Sequence, residues 1–401
     1  MLLYRLLTTL FAAVVLGRLV LGRSFGDLRA RLALGPAEPG HHLWLHAASN
    51  GELASARPLI EALRIARPDL ALVVTCNSVT GVALAQSWGL PARLAPLDLG
   101  WVTRRFLRNW SVRAHLAMES ELWPHRVLGC PGPVLIMGGR LSERTARAWR
   151  LFGGLQRRLL ARIHWLSAQD EGSLARYLAA GLPADAAGPV VDLKALYDPP
   201  DLHDATLSGL NRDHTWLAAS THEGEEATAL TAHLVARAQE PELRLILAPR
   251  HPRRADDIVR LANAKGLTVA RRSLGEAPDA DVYLADTLGE MALFYAAAGR
   301  VFIGGTLADR GGHTPYEPAA CGAALIHGPD VRNFRAPFAR LDAAGAACAI
   351  DSAETLAAAL LALHPRQRAM GQAARALLRP RMDAQALVAG ISARLDTLTP
   401  A

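Results

Sequence analysis

Short apolar runs alternate with amphipathic stretches of helical length from residue 43 onward, and this alternation limits the fold more than any other feature of the chain. Strands that alternate with helices form parallel βαβ units with right-handed crossovers. The first half of the chain is therefore predicted to be a doubly wound α/β domain. Its strand-like runs occupy residues 43–47, 71–75, 114–118, 134–137 and 165–168, and helical periodicity covers residues 52–66 and 81–88.

A break near Tyr197-Asp198-Pro199-Pro200, followed by a polar stretch to His214, precedes a second series of the same kind. A chain of 401 residues also exceeds the size at which a single core usually stops growing. We therefore predict two Rossmann-like domains facing a cleft, over residues 40–197 and 213–365, and a C-terminal helical segment over residues 366–401. The second series has strand-like runs at residues 216–219, 243–248, 282–285, 301–303 and 324–326, and helices at residues 225–238 and 289–298.

The segment from Leu2 to Leu21 is almost wholly apolar, and about 20 such residues are enough to cross a bilayer. No small-x-small cleavage site follows it, as a secretory signal peptide would require. We interpret residues 1–22 as an uncleaved anchor that spans the membrane or lies in its interface. A buried core helix is the alternative.

Composition sets broad limits on the partners and the compartment. The net charge of +7 suits an anionic partner, such as phospholipid, nucleotide phosphate or nucleic acid, without choosing among them. The four cysteines are scattered and form no CxxC pair, so neither a disulfide framework nor a structural zinc site is expected. A reducing compartment is the simpler interpretation.

Two carboxylate motifs follow predicted strands of the first half. In His46-Ala-Ala-Ser49-Asn50-Gly51-Glu52, the last residue falls in the first turn of a helix, where the helix N-terminus stabilises a carboxylate. Met118-Glu119-Ser120-Glu121-Leu122-Trp123-Pro124 closes another strand, at the sheet edge where doubly wound domains hold their functional groups. Both patterns also occur as ordinary first turns and solvated turns, so they indicate acid–base chemistry only in combination.

Four strand-to-helix turns in the second half carry groups suited to an anion. Hydroxyls and backbone N–H groups follow one strand, and a guanidinium follows the next. Any one such turn is ordinary structure, but four together predict a nucleotide pocket. The turns are Ser220-Thr221-His222-Glu223-Gly224, Pro249-Arg250-His251-Pro252, Asp286-Thr287-Leu288-Gly289-Glu290 and the glycine-rich stretch from Gly304 to Pro318.

Other motifs are absent from the sequence. It contains no GxxxxGK[ST] loop and no GxGxxG after a strand, which argues against P-loop NTPases and dehydrogenases. No DxD-like pair is placed to hold a metal on a diphosphate. We therefore expect no metal and no cofactor, and an anion bound by protein cations and helix N-termini.

The motifs together resemble those of the 3-deoxy-D-manno-octulosonic acid (Kdo) transferases. The shared series is collinear from about residue 43 to residue 335 and reads HxxSxGE, MExELWP, RLSxR, an LK pair, STHEGEE, PRHPxR, DTxGE and GGHxPxEPA followed by GPxxxNF. The resemblance implies the GT-B fold and an inverting, metal-independent transfer of Kdo from CMP-Kdo to a lipid A precursor (lipid IVA). It also implies action at the cytoplasmic face of the inner membrane, without a nucleic-acid partner.

The resemblance further implies roles for individual residues. Glu52 is expected to be the general base, with Glu119 and Lys194 supporting the transition state. CMP is expected at the positions that match the family's nucleotide motifs, to which the residue pattern adds Ser220 and Thr221 near the anion. These positions are Pro249, Arg250, Leu288, Gly289, Glu290, Thr314, Pro315, Tyr316 and Glu317.

The chain departs from the family pattern at three places. Thr314 stands where the family usually has Asn, Gly138-Gly139 replaces an Asn-Ala pair, and Lys194 lies in a divergent Val191-to-Leu196 segment. A GT-B transferase with another nucleotide-sugar donor, or a non-catalytic membrane-associated binding protein of the same fold, is therefore kept as the alternative.

A basic stretch from Arg144 to Ile163 is predicted to form one amphipathic helix that suits a headgroup surface or lipid phosphates. Its alternative is a solvated basic face over a core.

Overall fold

The computed structural model describes residues 2–119, 121–199, 204–207, 209–380 and 382–396, which fall into two compact units. Unit 1 comprises Met1–Leu196 and Pro380–Ala401, and unit 2 comprises Tyr197–Arg379. The break expected near residues 197–200 begins at this boundary, although Pro200 lies outside the described residues.

Unit 1 is built on a six-stranded parallel sheet in the order β3-β2-β1-β4-β5-β6. The order reverses between β1 and β4, which pair in register with His46 opposite Ala117. The strands are β1 (His42–His46), β2 (Ala71–Cys76), β3 (Ala92–Leu94), β4 (Val112–Met118), β5 (Val134–Gly139) and β6 (Trp165–Ala168).

Helices cover both faces of this sheet, and two more precede it. The helices of unit 1 are α1 (Leu2–Leu21), α2 (Phe25–Arg31), α3 (Asn50–Ala66), α4 (Val79–Ser87), α5 (Gly100–Asn109), α6 (Pro124–Gly129), α7 (Glu143–Trp149), α8 (Gly153–Leu160) and α9 (Glu171–Ala179), with a 3₁₀ turn at Leu193–Leu196. The last helix of the chain, Ala384–Asp396, also belongs to unit 1 and is called α17 below.

The core of unit 1 lies on both sides of the sheet because its parallel strands are apolar on both faces. On one side, α3 packs with α17, whose Leu387, Val388 and Ile391 are buried. Gly390 lies so close to Trp165 that a Cβ there would be 2.6 Å from the indole ring. The end of the chain therefore completes the core of its beginning.

Unit 2 contains a seven-stranded parallel sheet in the order β13-β12-β11-β7-β8-β10-β9. Here the order reverses between β7 and β11. The strands are β7 (Thr215–Thr221), β8 (Arg244–Pro249), β9 (Val269–Arg271), β10 (Val282–Leu284), β11 (Arg300–Ile303), β12 (Ala324–His327) and β13 (Ala347–Ala349).

The helices of unit 2 again flank the sheet and enclose a core around Trp216, Leu245 and Phe302. They are α10 (Glu225–Arg237), α11 (Ala255–Ala264), α12 (Met291–Ala297), α13 (Tyr316–Ala320), α14 (Arg335–Ala343), α15 (Ala353–Leu363) and α16 (Gln367–Leu378). The predicted C-terminal segment from residue 366 thus contains α16 of unit 2 and α17 of unit 1.

The N-terminal helix α1 is mostly exposed, and Ala12 is its one buried residue within the described part of the chain. Among the described residues, α1 alone has the length and hydropathy to cross a membrane. A buried core helix, the alternative considered for this segment, does not fit this exposure. Tyr4 in its first turn donates a 2.6 Å hydrogen bond to Asp98.

The expectation of two doubly wound parallel sheets is confirmed, with two differences in the elements. The helix predicted from Arg144 to Ile163 is wrong as a single element, because a 3₁₀ turn at Arg150–Phe152 separates α7 from α8. Gly153 and Gly154 lie at this break, and glycine is a weak helix former. The three-residue strands β3, β9 and β13 were not anticipated.

Candidate active site

The loops that follow β1 and β4 meet where the strand order of unit 1 reverses, which is where doubly wound sheets bind ligands. Glu52 lies in the first turn of α3, and its backbone N–H donates to the N-cap Ser49. The Ser49 hydroxyl donates to Glu52 Oε1 at 3.1 Å, and the Ala48 N–H donates to Oε2 at 2.8 Å. The carboxylate is thereby held over the N-terminus of its own helix.

The ionisation of Glu52 is strongly perturbed. Burial, followed by the negative charge of Glu119, raises its pKa to about 7, against the stabilising hydrogen bonds from Ala48 and Ser49. A carboxyl with this pKa exchanges a proton readily at neutral pH. Such values are typical of catalytic acids and bases.

Glu119 and Lys194 form an ion pair in the same region. Lys194 Nζ lies 3.5 Å from Glu119 Oε1, and both side chains are about one-quarter exposed (27% and 29%). Glu119 has a left-handed backbone (φ 54°), which is costly for a residue with a side chain. The Lys194 N–H donates to Asp192, which fixes the 3₁₀ turn. The structure thus brings Lys194 to Glu119, and Glu119 close enough to Glu52 to shift its pKa.

A buried histidine missed by the sequence analysis holds the second carboxylate of this loop. His46 Nδ1 lies 2.9 Å from the Thr75 carbonyl and hydroxyl oxygens, and Nε2 lies 3.2 Å from Glu121 Oε2. Trp123 Nε1 also donates to Glu121. Burial raises the pKa of Glu121, but these hydrogen bonds and the charge of Arg126 outweigh it and lower the pKa to about 2. Glu121 is therefore a fixed anion, unlike Glu52.

In unit 2, a buried glutamate organises the loops beside the β7–β11 reversal. Glu225, which is 1% exposed, accepts hydrogen bonds from the N–H groups of His222, Gly305, Thr306 and Leu307 at 2.7–3.1 Å. In the sequence, Glu225 is only one of the glutamates of the STHEGEE motif, because an acidic residue in a first turn resembles a solvated one. Its structural role is to bind the loop after β11 to the start of α10.

The predicted anion-binding residues of this unit differ in exposure. Ser220 has a left-handed backbone (φ 55°) at a bulge in β7. The Thr221 hydroxyl is buried and donates to Glu226, so it already has a partner. Pro249 ends β8, and Arg250 follows it with an exposed side chain. Of these four residues, Arg250 carries the accessible positive charge.

Three histidines that the sequence analysis did not connect lie next to Arg250. The rings of His222 and His313 stack with their Nε2 atoms 3.0 Å apart, and His251 meets His222 edge to face. Burial, then the neighbouring His222 and Arg250 charges, lower the pKa of His313 to about 4. The pKa of His222 is lowered as well, first by burial. Burial is the main cause of both shifts, and the neighbouring positive charges, Arg250 among them, act in the same direction.

The glycine-rich loop ends at Thr314 and Pro315, which precede the short helix α13. The Thr314 hydroxyl accepts a 3.3 Å hydrogen bond from the Tyr316 N–H. Burial alone raises the pKa of Glu317, and no cation or hydrogen-bond donor lies on its carboxylate within the described residues. Glu317 is thus a partly buried acceptor without a protein donor among the described residues.

The third predicted nucleotide segment lies before α12, which packs against α13. Leu288 is 78% exposed, and Gly289 has a left-handed backbone (φ 86°). Glu290 caps α12 and pairs with Arg272 at 2.6 Å. Its carboxylate is therefore already engaged by a guanidinium.

One group of side chains in unit 2 has the composition of a metal site. His214, Glu240 and His364 bring ligand atoms within 4.8 Å of one another. However, the fully buried Arg300 donates to both Glu240 oxygens at 3.0 and 3.1 Å. A carboxylate clamped by a guanidinium is a poor cation ligand, so the group is better described as a buried ion-pair cluster.

Comparisons with known proteins agree with this geometry. A model of the 3-deoxy-D-manno-octulosonic-acid transferase (Kdo transferase) family matches residues 26–196, which contain Glu52, Glu119 and Lys194. The 3-deoxy-D-manno-octulosonic acid transferase of Bordetella pertussis is 35% identical over 390 residues, covering 88% of this chain and 86% of that relative. The chain belongs to the Kdo transferase family.

Other comparisons add a second relative of the same family and a solved structure of similar fold. The 3-deoxy-D-manno-octulosonic acid transferase of Haemophilus influenzae is 32% identical over 319 residues, covering 76% of this chain and 74% of that relative. The crystal structure of UDP-GlcNAc 2-epimerase from Neisseria meningitidis bound to UDP-GlcNAc superimposes with a TM-score of 0.59 at 12% identity, covering 89% of this chain and 100% of that one. This Kdo transferase therefore has the GT-B architecture that its motifs implied.

Proposed function

We propose that the protein transfers Kdo from CMP-Kdo to a lipid A precursor, lipid IVA, with inversion at the anomeric carbon and with Glu52 as the general base. The observation that carries this proposal is the Glu52 carboxylate, which lies at the β1–β4 reversal with a pKa of about 7. Membership of the Kdo transferase family supplies the transferred sugar.

In the proposed reaction, an acceptor hydroxyl oxygen bonds to the anomeric carbon as the bond from that carbon to the CMP phosphate oxygen breaks. The hydroxyl proton passes to a Glu52 oxygen, and CMP leaves with the bonding electron pair. An inverting displacement needs one base on the side opposite the leaving group, which a single ionised carboxylate provides. The Glu119–Lys194 pair lies near this base and is proposed to stabilise the developing charge.

For CMP, we propose that Arg250 and the positive potential around the stacked histidines bind the phosphate. Arg250 is exposed, and burial, followed by neighbouring positive charge, lowers the histidine pKa values. Glu317 is proposed to accept hydrogen bonds from the ribose hydroxyls, because its partly buried carboxylate has no protein donor among the described residues. Protein groups alone account for this binding, so we propose that neither a metal nor a cofactor takes part.

We propose that the protein acts at the cytoplasmic face of the inner membrane, with α1 lying in the interface. The helix contacts its own unit from Tyr4 to Val15, and Asp98 and Arg126 lie beside it. A spanning orientation would draw these charged groups into hydrocarbon, which is costly. The exposed residues of α1 include Leu2, Leu6 and Leu10, which a helix lying in the interface would bury in the membrane.

The test is Glu52→Gln, assayed for Kdo transfer to lipid IVA and for thermal stabilisation by CMP, UDP and GDP. We expect transfer to fall by about 10²–10⁴-fold, as for loss of a general base. Stabilisation by CMP, exceeding that by UDP or GDP, is expected to be unchanged. Glu61→Gln on the exposed side of the same helix is the matched control. Wild-type transfer by E52Q would disprove the base assignment, and equal responses to the three nucleotides would disprove the donor.

A further inference from the structure

A cavity of about 230 Å³ lies in unit 1 between α1 and the carboxyl-end loops of the sheet. Thr8, Phe11 and Val15 of α1 form one wall, and Arg31, Trp123 and Arg126 lie among the residues on the other sides. The three α1 positions recur at intervals of three and four residues, so they share one helix face. The cavity thus has an apolar wall from the proposed interfacial helix and two guanidinium groups opposite.

Arg126 is an unusual residue to find in such a position. It is 3% exposed, and its guanidinium lies between the rings of Trp44 and Trp123, at 5.5 and 5.4 Å from the ring centroids. Nη2 donates to the Pro96 carbonyl, whereas Nε and Nη1 have no hydrogen-bond partner among the described residues. A buried donor without a partner destabilises the folded state, and more so when it is charged. Such a group calls for a ligand.

Arg31 adds a second positive charge to the cavity. Its Nη1 and Nη2 donate to the carbonyl oxygens of Ala95 and Asn77, which are neutral acceptors. Burial lowers the pKa of Arg31. Burial is also the main cause that lowers the pKa of Arg126, against the negative charges of Asp98 and Glu121, and the positive charge of Arg31 adds a smaller lowering. Two guanidinium groups that repel each other across a cavity are stabilised when an anion enters between them.

Asp98 is the acidic group among the residues that line the cavity, and its oxygens are already occupied. Oδ1 accepts from the Arg126 N–H at 3.0 Å, and Oδ2 accepts from Tyr4 and from the His125 N–H. Its role is to fasten α1 and the start of α6 to each other. The side chains free to interact with a ligand are therefore cationic on one side and apolar on the other.

We propose that this cavity binds the phosphate group of a membrane amphiphile, with Arg31 and Arg126 as the phosphate ligands and Thr8, Phe11 and Val15 against its apolar part. The phosphate belongs either to an anionic phospholipid or to the lipid acceptor, and the acceptor source rests on the proposed function. A guanidinium donates charge-assisted N–H hydrogen bonds to phosphate, and Nε and Nη1 of Arg126 are donors without a partner among the described residues. Small for a whole lipid, the cavity suits a headgroup.

The cavity also adjoins the candidate active site. Trp123, which lines the cavity, donates through Nε1 to Glu121, and Glu121 is held in turn by His46. A phosphate bound to Arg126 would therefore be separated by one side chain, that of Trp123, from the loop that carries Glu119 and Glu121. A site in this position could orient the lipid acceptor, or it could hold a phospholipid of the surrounding membrane.

The first arm of the experiment measures binding by calorimetry with dihexanoyl phosphatidic acid, using dihexanoyl phosphatidylcholine for comparison. Val15→Trp fills the cavity from α1 without removing a charge or a hydrogen bond. Val14→Trp is the matched control, because Val14 is 55% exposed and does not line the cavity. We expect V15W to weaken phosphatidic acid binding at least tenfold and V14W to leave it unchanged. Arg126→Met should have the effect of V15W if the variant folds.

The second arm measures the KM for lipid IVA and for its dephosphorylated form. A KM raised at least fivefold by V15W for the phosphorylated acceptor alone, with kcat and the KM for CMP-Kdo unchanged, would identify the acceptor phosphate as the ligand. An effect on phosphatidic acid binding without an effect on this KM would identify a phospholipid. Equal behaviour of V15W, V14W and wild type in both arms would overturn the cavity proposal. Absence of transfer by wild type would instead refute the proposed function, and the calorimetric arm would still decide the cavity.

Discussion

Glu52 and Glu121 show how two carboxylates at one sheet edge acquire opposite properties. Burial of the Glu52 carboxyl, together with the negative charge of the nearby Glu119, raises its pKa to about 7. Glu121 receives hydrogen bonds from His46 and Trp123 and lies near Arg126, so its pKa falls to about 2. The first group can exchange a proton at neutral pH, whereas the second remains an anion.

The raised pKa of Glu52 predicts the pH dependence of transfer. Because the base must be ionised, kcat/KM should rise with pH through a midpoint near 7. Glu119→Gln removes a negative neighbour, which favours ionised Glu52, so the midpoint should move to lower pH even as the rate falls. Steady-state kinetics from pH 5 to 9 measure both, with Glu61→Gln as control. A midpoint that E119Q leaves in place would contradict this account.

Replacing the buried Glu225 by glutamine is predicted to lower the free energy of unfolding substantially. Glu225→Gln puts an NH₂ group where the carboxylate now accepts backbone N–H groups from the loop after β11. Buried donors left without acceptors should cost about 2–4 kcal/mol, measured by urea denaturation. Glu223→Gln, two residues away and exposed, makes the same chemical change as a control. Equal stability of the two variants would mean that the buried carboxylate does not hold the loop.

The sequence indicated which residues belong to the candidate site, but it did not indicate which other side chains they contact. Glu52, Glu119 and Arg250 became candidates because each follows a strand at the carboxyl end of a parallel sheet, and the resemblance to the Kdo transferases implied their roles. The burial of Glu225 and the contact of His46 with Glu121 could not be predicted, since both depend on segments 75 or more residues apart. Local patterns carry no information about such pairings.

Among the elements, the strands of four or more residues were the most predictable. β2 and β6 have nearly the predicted bounds because continuous apolar runs are typical of buried parallel strands. β3, β9 and β13 lie at or near sheet edges and contain three residues each, too few to show a pattern. The break between α7 and α8 is local, and the Gly153-Gly154 pair was the available signal.

The packing of α17 gives a prediction at the level of a helix. Gly390→Val should destabilise unit 1 by about 1–3 kcal/mol, because the new side chain would overlap the Trp165 ring. Valine is a better helix former than glycine, so the helix itself would not account for a loss. Thermal denaturation of G390V and of Ala389→Val, at the exposed neighbouring position, separates the two effects. Unchanged stability of G390V would show that α17 does not pack against Trp165.

For the molecule as a whole, α1 and the net charge of +7 predict how the protein partitions onto vesicles. Leu6→Glu with Leu10→Glu should reduce flotation with phosphatidylglycerol vesicles at least tenfold, because each buried leucine contributes about 1.5–3 kcal/mol. Gln385→Glu with Ala389→Glu adds the same charge at the same spacing on exposed α17 positions and should float like wild type. Flotation of L6E/L10E equal to wild type would exclude α1 as the membrane-binding element.

Unit 1 is closed by α17, which follows the whole of unit 2 along the chain. During synthesis, domains generally fold as they emerge, N-terminal first. Here unit 2 can complete its sheet while unit 1 still lacks α17. The apolar face of α3 therefore stays exposed until translation passes residue 396. A chain released after α16 but before α17 would have a folded unit 2 and a unit 1 with an exposed apolar core. Chaperones would be expected to bind such a chain.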